Sequence, residues 1–499
     1  MPLLEILYGL LAAWLALYGL NSLVLTLIYL RVRREKPPAA PQPASWPTVT
    51  VQLPVYNELH VVERAIGAAA ALDYPHDCLQ IQVLDDSTDA TTALAQQAVA
   101  RYAQMGLNIQ HLQRSDRTGF KAGALAGGLR RASGDLVAVF DADFVPSRDF
   151  LRRIVPYCAR PEVGCVQARW DHLNRTYSLL TRAQAMGIDA HFQIEQTARS
   201  RAGLFLNFNG SAGVWRRTCI EDAGGWQADT LTEDLDLSYR AQLRGWRVLY
   251  VPDVGVAGEL PPQFDGLRRQ QARWAQGSIQ VARRVLPRLL ASPQPWPVKL
   301  EGALHLTGYM VHPLLLVTLL LTLPMALTQG RWPAFVPYFL LASAGPPLLC
   351  LVAQAERGPR GWRGLAIAPL VLLIGMGLAL NNAVAMCRAF MSREGEFQRT
   401  PKFAVRGSQE RWENSVYALR CSPLVRWELL LAAFALLSAW LTAGSAGSAL
   451  SIWLLIYALG YGFVAMLSLG QAFQARRRAM AHSRLWGDGS QRAPGHGLG

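Results

Sequence analysis

A nearly uninterrupted apolar run from Leu3 to Leu30 is the feature that most limits what this chain can fold into. At a rise of about 1.5 Å per residue, a helix of this length crosses a hydrocarbon core about 30 Å thick. A cleaved signal peptide is the alternative, but no basic residue precedes the run, and basic residues follow it from Arg31 to Lys36. The run therefore predicts a transmembrane anchor over residues 1–30, with its C-terminal end in the cytosol.

Apolar sequence returns after about residue 300. The candidate segments are 303–328, 333–355, 364–387, 427–446 and 449–470. If all of them crossed, the basic stretch Arg388–Arg426 would lie outside, against the tendency of basic residues to stay inside. Pro369, Gly375, Gly377 and the pair Asn381-Asn382 also weaken 364–387 as a simple span. We therefore expect five crossings in total: the anchor, two helices in 301–355 and two in 424–470, with an interfacial or re-entrant segment in 364–412 and a basic, disordered tail in 471–499.

The composition agrees with a membrane protein that also carries a soluble domain. Hydrophobic residues make up 51% of the 499 residues and charged residues 17%. The net charge of +14 does not indicate nucleic-acid binding, because the basic residues cluster beside the apolar segments. The seven cysteines form no CxxC pair, which argues against a zinc site and against a disulfide framework.

After a Pro/Ala-rich linker, residues 31–47, short β-rich runs alternate with helical patterns, which predicts an α/β domain. The clearest predicted elements are strands at Thr48–Leu53, Leu79–Leu84 and Asp135–Phe140, and helices at Glu58–Leu72 and Thr88–Met105. In an open α/β sheet, ligands bind beyond the carboxyl ends of the strands. The residues that directly follow these strands are therefore the candidates for a site.

Two acidic motifs occupy such positions. Asp85 and Asp86 follow one strand, although an Asx turn would explain them equally. Asp141 and Asp143 follow another, and two carboxylates close to one point suit a hard divalent cation that neutralises a departing sugar diphosphate.

A third acidic motif contains Asp234. Thr230 and Glu233 have capping-box spacing and predict a helix that runs towards Arg244, with Asp234 in its first turn. A carboxylate there could take the proton of an attacking hydroxyl. Helix-dipole stabilisation explains Glu233 as well, and the same dipole lowers a carboxylate's pKa, which opposes the base role.

Gln270, Arg273 and Trp274 share one face of a basic helical stretch that begins near Leu267. Arginine can hold a diphosphate with two hydrogen bonds, and tryptophan offers a flat apolar surface to a sugar. An ordinary helix at the membrane interface is the alternative.

Two Gly-containing stretches complete the set of candidates. Lys121 lies among small residues that allow close approach to a phosphate, and Asn209, Gly210 and Ser211 offer amide and hydroxyl groups to a sugar. A loop before a helix and a tight turn are the respective alternatives.

Taken in order, these motifs resemble family 2 glycosyltransferases, with the D, D, D, Q-x-x-R-W pattern of cellulose and hyaluronan synthases. The resemblance is densest over residues 48–285 and is nearest to the plant cellulose synthase-like A and C proteins, which make (gluco)mannan and xyloglucan backbones. It rests on the stretches Val51–Glu58, Gln82–Asp89, Phe140–Phe144, Val166–Trp170 and Phe208–Arg216.

The resemblance implies a GT-A, Rossmann-like domain over 48–260, interface helices over 261–300, and Mg²⁺ or Mn²⁺ as cofactor. By position, it implies that Asp85 and Asp86 contact the nucleotide and that Asp141 and Asp143 hold the metal and the diphosphate. It also implies that Lys121 and Arg273 bind the diphosphate and that Gln270 and Trp274 bind the acceptor. Asp234 would be the general base. Phe397, Thr400 and Lys402 resemble the F-x-V-T-x-K gating loop of processive synthases, although Arg399 replaces the usual Val. A plain basic loop beside the membrane is the alternative.

The resemblance implies inverting transfer of a hexose from GDP-mannose, GDP-glucose or UDP-glucose to a growing polysaccharide. The linkage is expected to be β, and specifically β-1,4. The polysaccharide would be exported through the transmembrane region of the chain. The expected partners are the donor, a glycan or lipid acceptor and the bilayer, and no nucleic acid. A single-transfer glycolipid β-glycosyltransferase acting on ceramide or diacylglycerol is the alternative, and a degenerate scaffold is the non-enzymatic one. The Ala/Arg-rich composition predicts a bacterial inner-membrane location with a cytosolic catalytic domain.

Overall fold

The computed structural model describes residues 2–35, 45–327, 343–391, 399–407, 410–413, 415–443 and 448–487. Its soluble part is built on one seven-stranded sheet with the order β3-β2-β1-β4-β6-β5-β7. The strands are β1 Val49–Val55, β2 Leu79–Asp85, β3 Ile109–Gln113, β4 Leu136–Val139, β5 Val163–His172, β6 Gly213–Arg216 and β7 Arg247–Gly258. The sheet is mixed, since β6 runs antiparallel to both of its neighbours. The predicted α/β, GT-A class is confirmed.

The carboxyl ends of the central strands meet at one edge of the sheet. β1 lies parallel between β2 and β4, with Val55 beside Asp85 and Gln52 beside Val139. These strands form near-continuous runs of buried residues, as strands covered on both faces do. Tyr56, Asp86 and Asp141, which follow the three strands within two residues, are thereby brought to a common edge.

Helices cover both faces of the sheet. Their bounds are Val62–Ala70, Thr91–Gln104, Phe120–Leu129, Phe150–Ile154, Leu179–Asp189, Thr197–Ala202, Arg217–Asp222 and Glu233–Leu243, with a π-helical turn at Ala190–Gln196. The first helix begins four residues later than predicted, because residues 56–61 form turns in which the Glu58 carbonyl accepts from the amides of Val61 and Val62. The other predicted strands and helices differ from the observed ones only at their ends.

Helix Phe264–Ala291 joins the soluble domain to the apolar helices. Its Arg268 forms a buried ion pair with Glu428 at 2.6 Å, and the amide of Asn381 donates to the Arg268 carbonyl at 3.1 Å. Ser278 on the same helix donates to the carbonyl of Leu306 at 2.6 Å. This one helix thus connects the soluble domain to two apolar helices and to helix Trp296–Leu306.

The remaining helices are Pro2–Val32, Trp296–Leu306, Val311–Leu327, Gly345–Ala355, Pro359–Gly364, Ala368–Gly377, Ala379–Met391, Val425–Thr442 and Ser448–Gly487. In the described ranges, five helical segments are long and apolar enough to cross a membrane: Leu3–Val32, Gly308–Met325, Leu365–Met391, Val425–Thr442 and Ser451–Arg478. Only the end of the predicted span 333–355 is described, as the short helix Gly345–Ala355, because residues 328–342 lie outside the described part.

Two of the features that argued against 364–387 as a span, Pro369 and Gly377, are compatible with packed helices in the structure. Pro369 occupies the first turn of its helix, where proline is tolerated. Gly377 lies so close to Val464 and to the carbonyl of Gly460 that a Cβ would not fit, so it allows two apolar helices to touch. The expected interfacial segment is therefore, by length and composition, a candidate span.

The predicted disordered tail is a second difference. Helix Ser448–Gly487 continues without a break beyond residue 470, so the prediction is wrong for 471–487. Residues 488–499 lie outside the described part of the chain.

Candidate active site

A cavity opens at the carboxyl edge of the sheet. The predicted residues that line it are Asp86, Lys121, Asp141, Asp143, Asn209, Gly210, Asp234, Gln270, Arg273, Trp274, Thr400 and Lys402. Three predicted residues are not among its lining: Asp85 and Ser211 point elsewhere, and Phe397 lies outside the described residues. The structure thus gathers side chains from seven regions of the sequence around one volume.

Asp85 and Asp86 have different roles. The Asp85 side chain is fully buried, accepts a hydrogen bond from the Ser87 amide at 2.8 Å, and lies 2.9 Å from His111 Nε2. It therefore stabilises the loop behind the site and does not line the cavity, and its contact with a nucleotide stays a prediction. Asp86 faces the cavity, and both of its oxygens accept from the guanidinium of Arg114.

Tyr56 and Arg117 form a flat wall that the sequence motifs did not single out as a site. The Arg117 guanidinium lies 3.3 Å from the centroid of the Tyr56 ring, a stacked cation–π contact. Both residues line the cavity next to Asp86. The signal that could have found Tyr56 is its position directly after β1, which matches the position of Asp86 after β2.

Asp141 lies at the mouth of the cavity with about a third of its side chain exposed, and its Oδ1 is 2.6 Å from Lys121 Nζ. Burial alone would lower the pKa of Lys121, but the carboxylates of Asp141 and Glu233 raise it. Ser211 is buried and accepts a hydrogen bond from the Asp141 amide at 3.0 Å. Ser211 therefore positions Asp141 from outside the cavity lining, and its contact with an acceptor stays a prediction.

Asp143 is buried and paired with the loop that follows the apolar helices. Its Oδ2 lies 2.7 Å from Lys402 Nζ and accepts from the Glu259 amide at 3.1 Å. The Glu259 carboxylate in turn accepts from the Phe403 amide at 2.8 Å. These contacts hold the predicted gating loop, at Thr400 and Lys402, against the edge of the sheet.

Asp234 sits in the first turn of helix Glu233–Leu243, as predicted, but its surroundings differ from the prediction. Thr230 does not cap this helix; Thr232 is the N-cap residue, and its side chain forms no capping bond. The Asp234 carboxylate accepts from the Leu235 amide at 2.8 Å. Burial, together with the adjacent Glu233, nevertheless raises the pKa of Asp234 to about 7 and outweighs Lys121 and the amide. The expected lowering by the helix terminus is therefore reversed, which favours a base.

Gly210 allows the chain to pass directly beneath Asp234. Its φ of +77° lies in the left-handed region. A Cβ at this position would lie 2.8 Å from Asp234 Oδ2 and 3.2 Å from Lys121 Nζ. The Gly210 carbonyl also accepts from Lys121 Nζ at 2.8 Å, so this loop positions both charged groups.

The opposite wall is formed by Gln270, Arg273 and Trp274, which face the cavity together as their helical spacing predicted. Trp274 meets Trp170 edge to face, with the ring centroids 6.5 Å apart. Asn209 completes this wall, and its side-chain oxygen accepts from Gln196, in the π-helical turn, at 2.7 Å. This end of the cavity combines flat aromatic surface with amides, the groups that bind sugars.

Comparison with known proteins finds relatives of the soluble domain. Residues 47–277 match the family described as "Glycosyltransferase like family 2". The chain is 48% identical over 245 residues to "Probable glucomannan 4-beta-mannosyltransferase 7" of Oryza sativa subsp. japonica, covering 48% of this chain and 42% of that protein. It is 46% identical over 248 residues to "Glucomannan 4-beta-mannosyltransferase 2" of Arabidopsis thaliana, covering 49% and 46%. The match thus spans less than half the length of these relatives.

Among solved structures, the chain is similar to the mannosyltransferase PcManGT from Pyrobaculum calidifontis in complex with GDP-Man and Mn²⁺, with 25% identity and a TM-score of 0.49, covering 77% of this chain and 99% of that one. The curated relatives are plant proteins. The predicted bacterial inner-membrane location is therefore wrong.

Proposed function

Since residues 47–277 form a glycosyltransferase domain of family 2, we propose that this chain is a membrane-embedded, inverting hexosyltransferase that extends a β-linked polysaccharide from a nucleotide-sugar donor. The observation that carries the proposal is the single cavity in which Asp234 faces Lys121, Asp141, Arg273 and Trp274. The names of the plant relatives favour β-1,4-mannosyl transfer, so GDP-mannose is the first donor to test. GDP-glucose and UDP-glucose are the other donors to test.

Asp234 is the proposed general base. Its raised pKa makes it a stronger base than an exposed aspartate, and it lines the cavity together with Lys121, Arg273 and Trp274. It takes the proton of an acceptor hydroxyl as that oxygen attacks the anomeric carbon. The bond to the nucleoside diphosphate breaks on the opposite face, so an α-linked donor gives a β-linked product.

Lys121 and Arg273 are the proposed ligands of the departing diphosphate. Both line the cavity, and Lys121 keeps its positive charge because Asp141 and Glu233 offset its burial. Arginine offers a planar pair of donors to phosphate oxygens, and lysine a compact charge. Asp86 and the Tyr56–Arg117 wall form the proposed nucleoside end.

Asp141 and Asp143 fit a divalent metal in part. They supply two hard oxygen donors at one strand end, and Mg²⁺ is commonly held by one or two carboxylates plus the phosphates of the substrate. Among the described residues, no group of three or more His, Cys, Asp or Glu side chains could hold a metal ion without the donor. Bound Mg²⁺ or Mn²⁺ would neutralise charge on the departing diphosphate. Lys121 Nζ lies 2.6 Å from Asp141 and Lys402 Nζ lies 2.7 Å from Asp143, so each carboxylate has a cationic neighbour.

Gln270, Trp274 and Asn209 are the proposed acceptor ligands. All three line the cavity, and the helix that carries Gln270 and Trp274 contacts an apolar helix through Gln271, which accepts from the Tyr309 hydroxyl at 3.2 Å. A growing chain that leaves the cavity at this wall would be directed towards the transmembrane region, which is the proposed route of export.

The test uses the purified full chain in nanodiscs with Mg²⁺ or Mn²⁺ and each radiolabelled donor in turn. The expected product is a long polymer that a β-mannanase digests. A single labelled sugar that partitions with lipid would overturn the polymerase proposal in favour of a glycolipid transferase. Omission of the metal should abolish product if Asp141 and Asp143 act as proposed.

A further inference from the structure

Arg399 stands where the gating-loop pattern has Val, and it contacts two residues that line the cavity, Tyr56 and Glu58. Its Nη1 donates to the Tyr56 carbonyl at 3.2 Å, and its Nε lies 3.5 Å from Glu58 Oε1. Its guanidinium also lies 4.4 Å from the centroid of the Tyr417 ring. Arg399 is therefore fixed in place by three contacts, none of which uses its second terminal nitrogen.

That second nitrogen, Nη2, is buried and has no hydrogen-bond partner among the described residues. The neighbouring Thr400 hydroxyl oxygen is in the same state, and both residues line the cavity. A buried donor without a partner is costly, so such atoms in a binding cavity indicate a ligand that supplies the missing acceptor.

The chemistry of the surroundings identifies that ligand. Lys402 and Lys121 line the same cavity, and each balances one carboxylate of the Asp141–Asp143 pair. A guanidinium and a hydroxyl side by side, in a cavity with further cations, suit the oxygens of a phosphate group. Valine at this position of the family pattern could make no such bond.

We propose that Arg399 is a direct ligand of the donor's diphosphate, donating from Nη2 next to the Thr400 hydroxyl. The inference rests on the proposed nucleotide-sugar transfer and deepens it, because it adds a donor-binding cation that the family pattern lacks at this position.

The test measures binding of GDP, GMP, UDP and UMP to the full chain in nanodiscs by titration calorimetry. Arg399→Val should weaken binding of the preferred diphosphate by about 10- to 100-fold, since a hydrogen bond to a charged group is lost. Binding of the matching monophosphate should weaken less, and Arg399→Lys should recover part of the loss. Arg406→Val, an exposed arginine on the same segment, is the matched control and should bind like wild type.

A second variant separates a direct contact from mere docking of the loop. Tyr417→Phe removes the hydroxyl that donates to Asp89, so it loosens the same segment without touching the diphosphate. It should change diphosphate and monophosphate affinity by the same factor. If Arg399→Val also does so, or has no effect, Arg399 only holds the loop and the inference is overturned. A wild-type chain that binds no nucleotide would instead overturn the proposed function itself.

Discussion

Replacement of Gly210 by alanine tests the proposed geometry of the base directly. The added Cβ would lie 2.8 Å from Asp234 Oδ2, whereas ordinary contact begins at 3.4 Å, so the carboxylate must move by about 0.6 Å. The same atom would lie 3.2 Å from Lys121 Nζ, on the diphosphate side. The substitution therefore displaces two proposed reacting groups while leaving every charge in place.

Two effects of this substitution can be separated by magnitude. Alanine in the left-handed region at φ +77° should cost about 1–2 kcal/mol of unfolding free energy. Displacement of a reacting group by about 1 Å can cost on the order of 100-fold in rate. For the smaller shift at Asp234 we expect kcat to fall about 10- to 100-fold, with KM for the donor changed much less.

Gly225→Ala is the matched control, because its φ is +72° and no atom lies within 4 Å of the added Cβ. Initial rates and thermal unfolding would be measured for both variants in nanodiscs. Equal stability losses with a loss of kcat only at Gly210 would support the arrangement. If the two variants keep equal activity, the reasoning that places Asp234 over Gly210 as the base is refuted.

Three further predictions follow from the described contacts. Asp234→Asn should lower kcat by about 100- to 10,000-fold while donor binding, followed by calorimetry, stays near wild type; surviving turnover would reject the base assignment. Because burial and Glu233 raise the pKa of Asp234 to about 7, and the base must be deprotonated, kcat should fall as pH drops below about 7; a flat profile down to pH 5 contradicts this. Glu428→Ala leaves Arg268 buried without its partner and should cost about 3–5 kcal/mol of unfolding free energy, with Glu428→Gln milder; thermal unfolding in nanodiscs that matches wild type would show that the pair contributes little.

The sequence was enough to predict the sheet and most of the cavity, because both depend on local pattern. Strand ends place their next residues at one edge, and helical spacing puts Gln270, Arg273 and Trp274 on one face whatever lies around them. The choice between Asp85 and Asp86 was beyond the sequence, since His111 and Ser87 decide which carboxylate turns inward.

Other misses came from contacts between distant parts of the chain. The pKa of Asp234 depends on burial that only the folded cavity supplies, so the helix-dipole argument gave the opposite direction. Gly377 looked like a helix breaker, but its neighbours Val464 and Gly460 come from a helix far along the sequence. Arg399 looked like a defect in a motif, and its contacts with Tyr56 and Glu58 became visible only in three dimensions.

The cavity wall contributed by Arg399, Thr400 and Lys402 lies beyond two candidate spans in the chain, whereas the rest of the wall precedes them. During synthesis the soluble domain is complete long before that last part of the wall emerges from the ribosome. Both candidate spans must be synthesised before Lys402 can meet Asp143, so a nascent chain that ends before them lacks this part of the wall. The two apolar segments thus separate, along the chain, the groups that complete the cavity from the groups they contact in the folded protein.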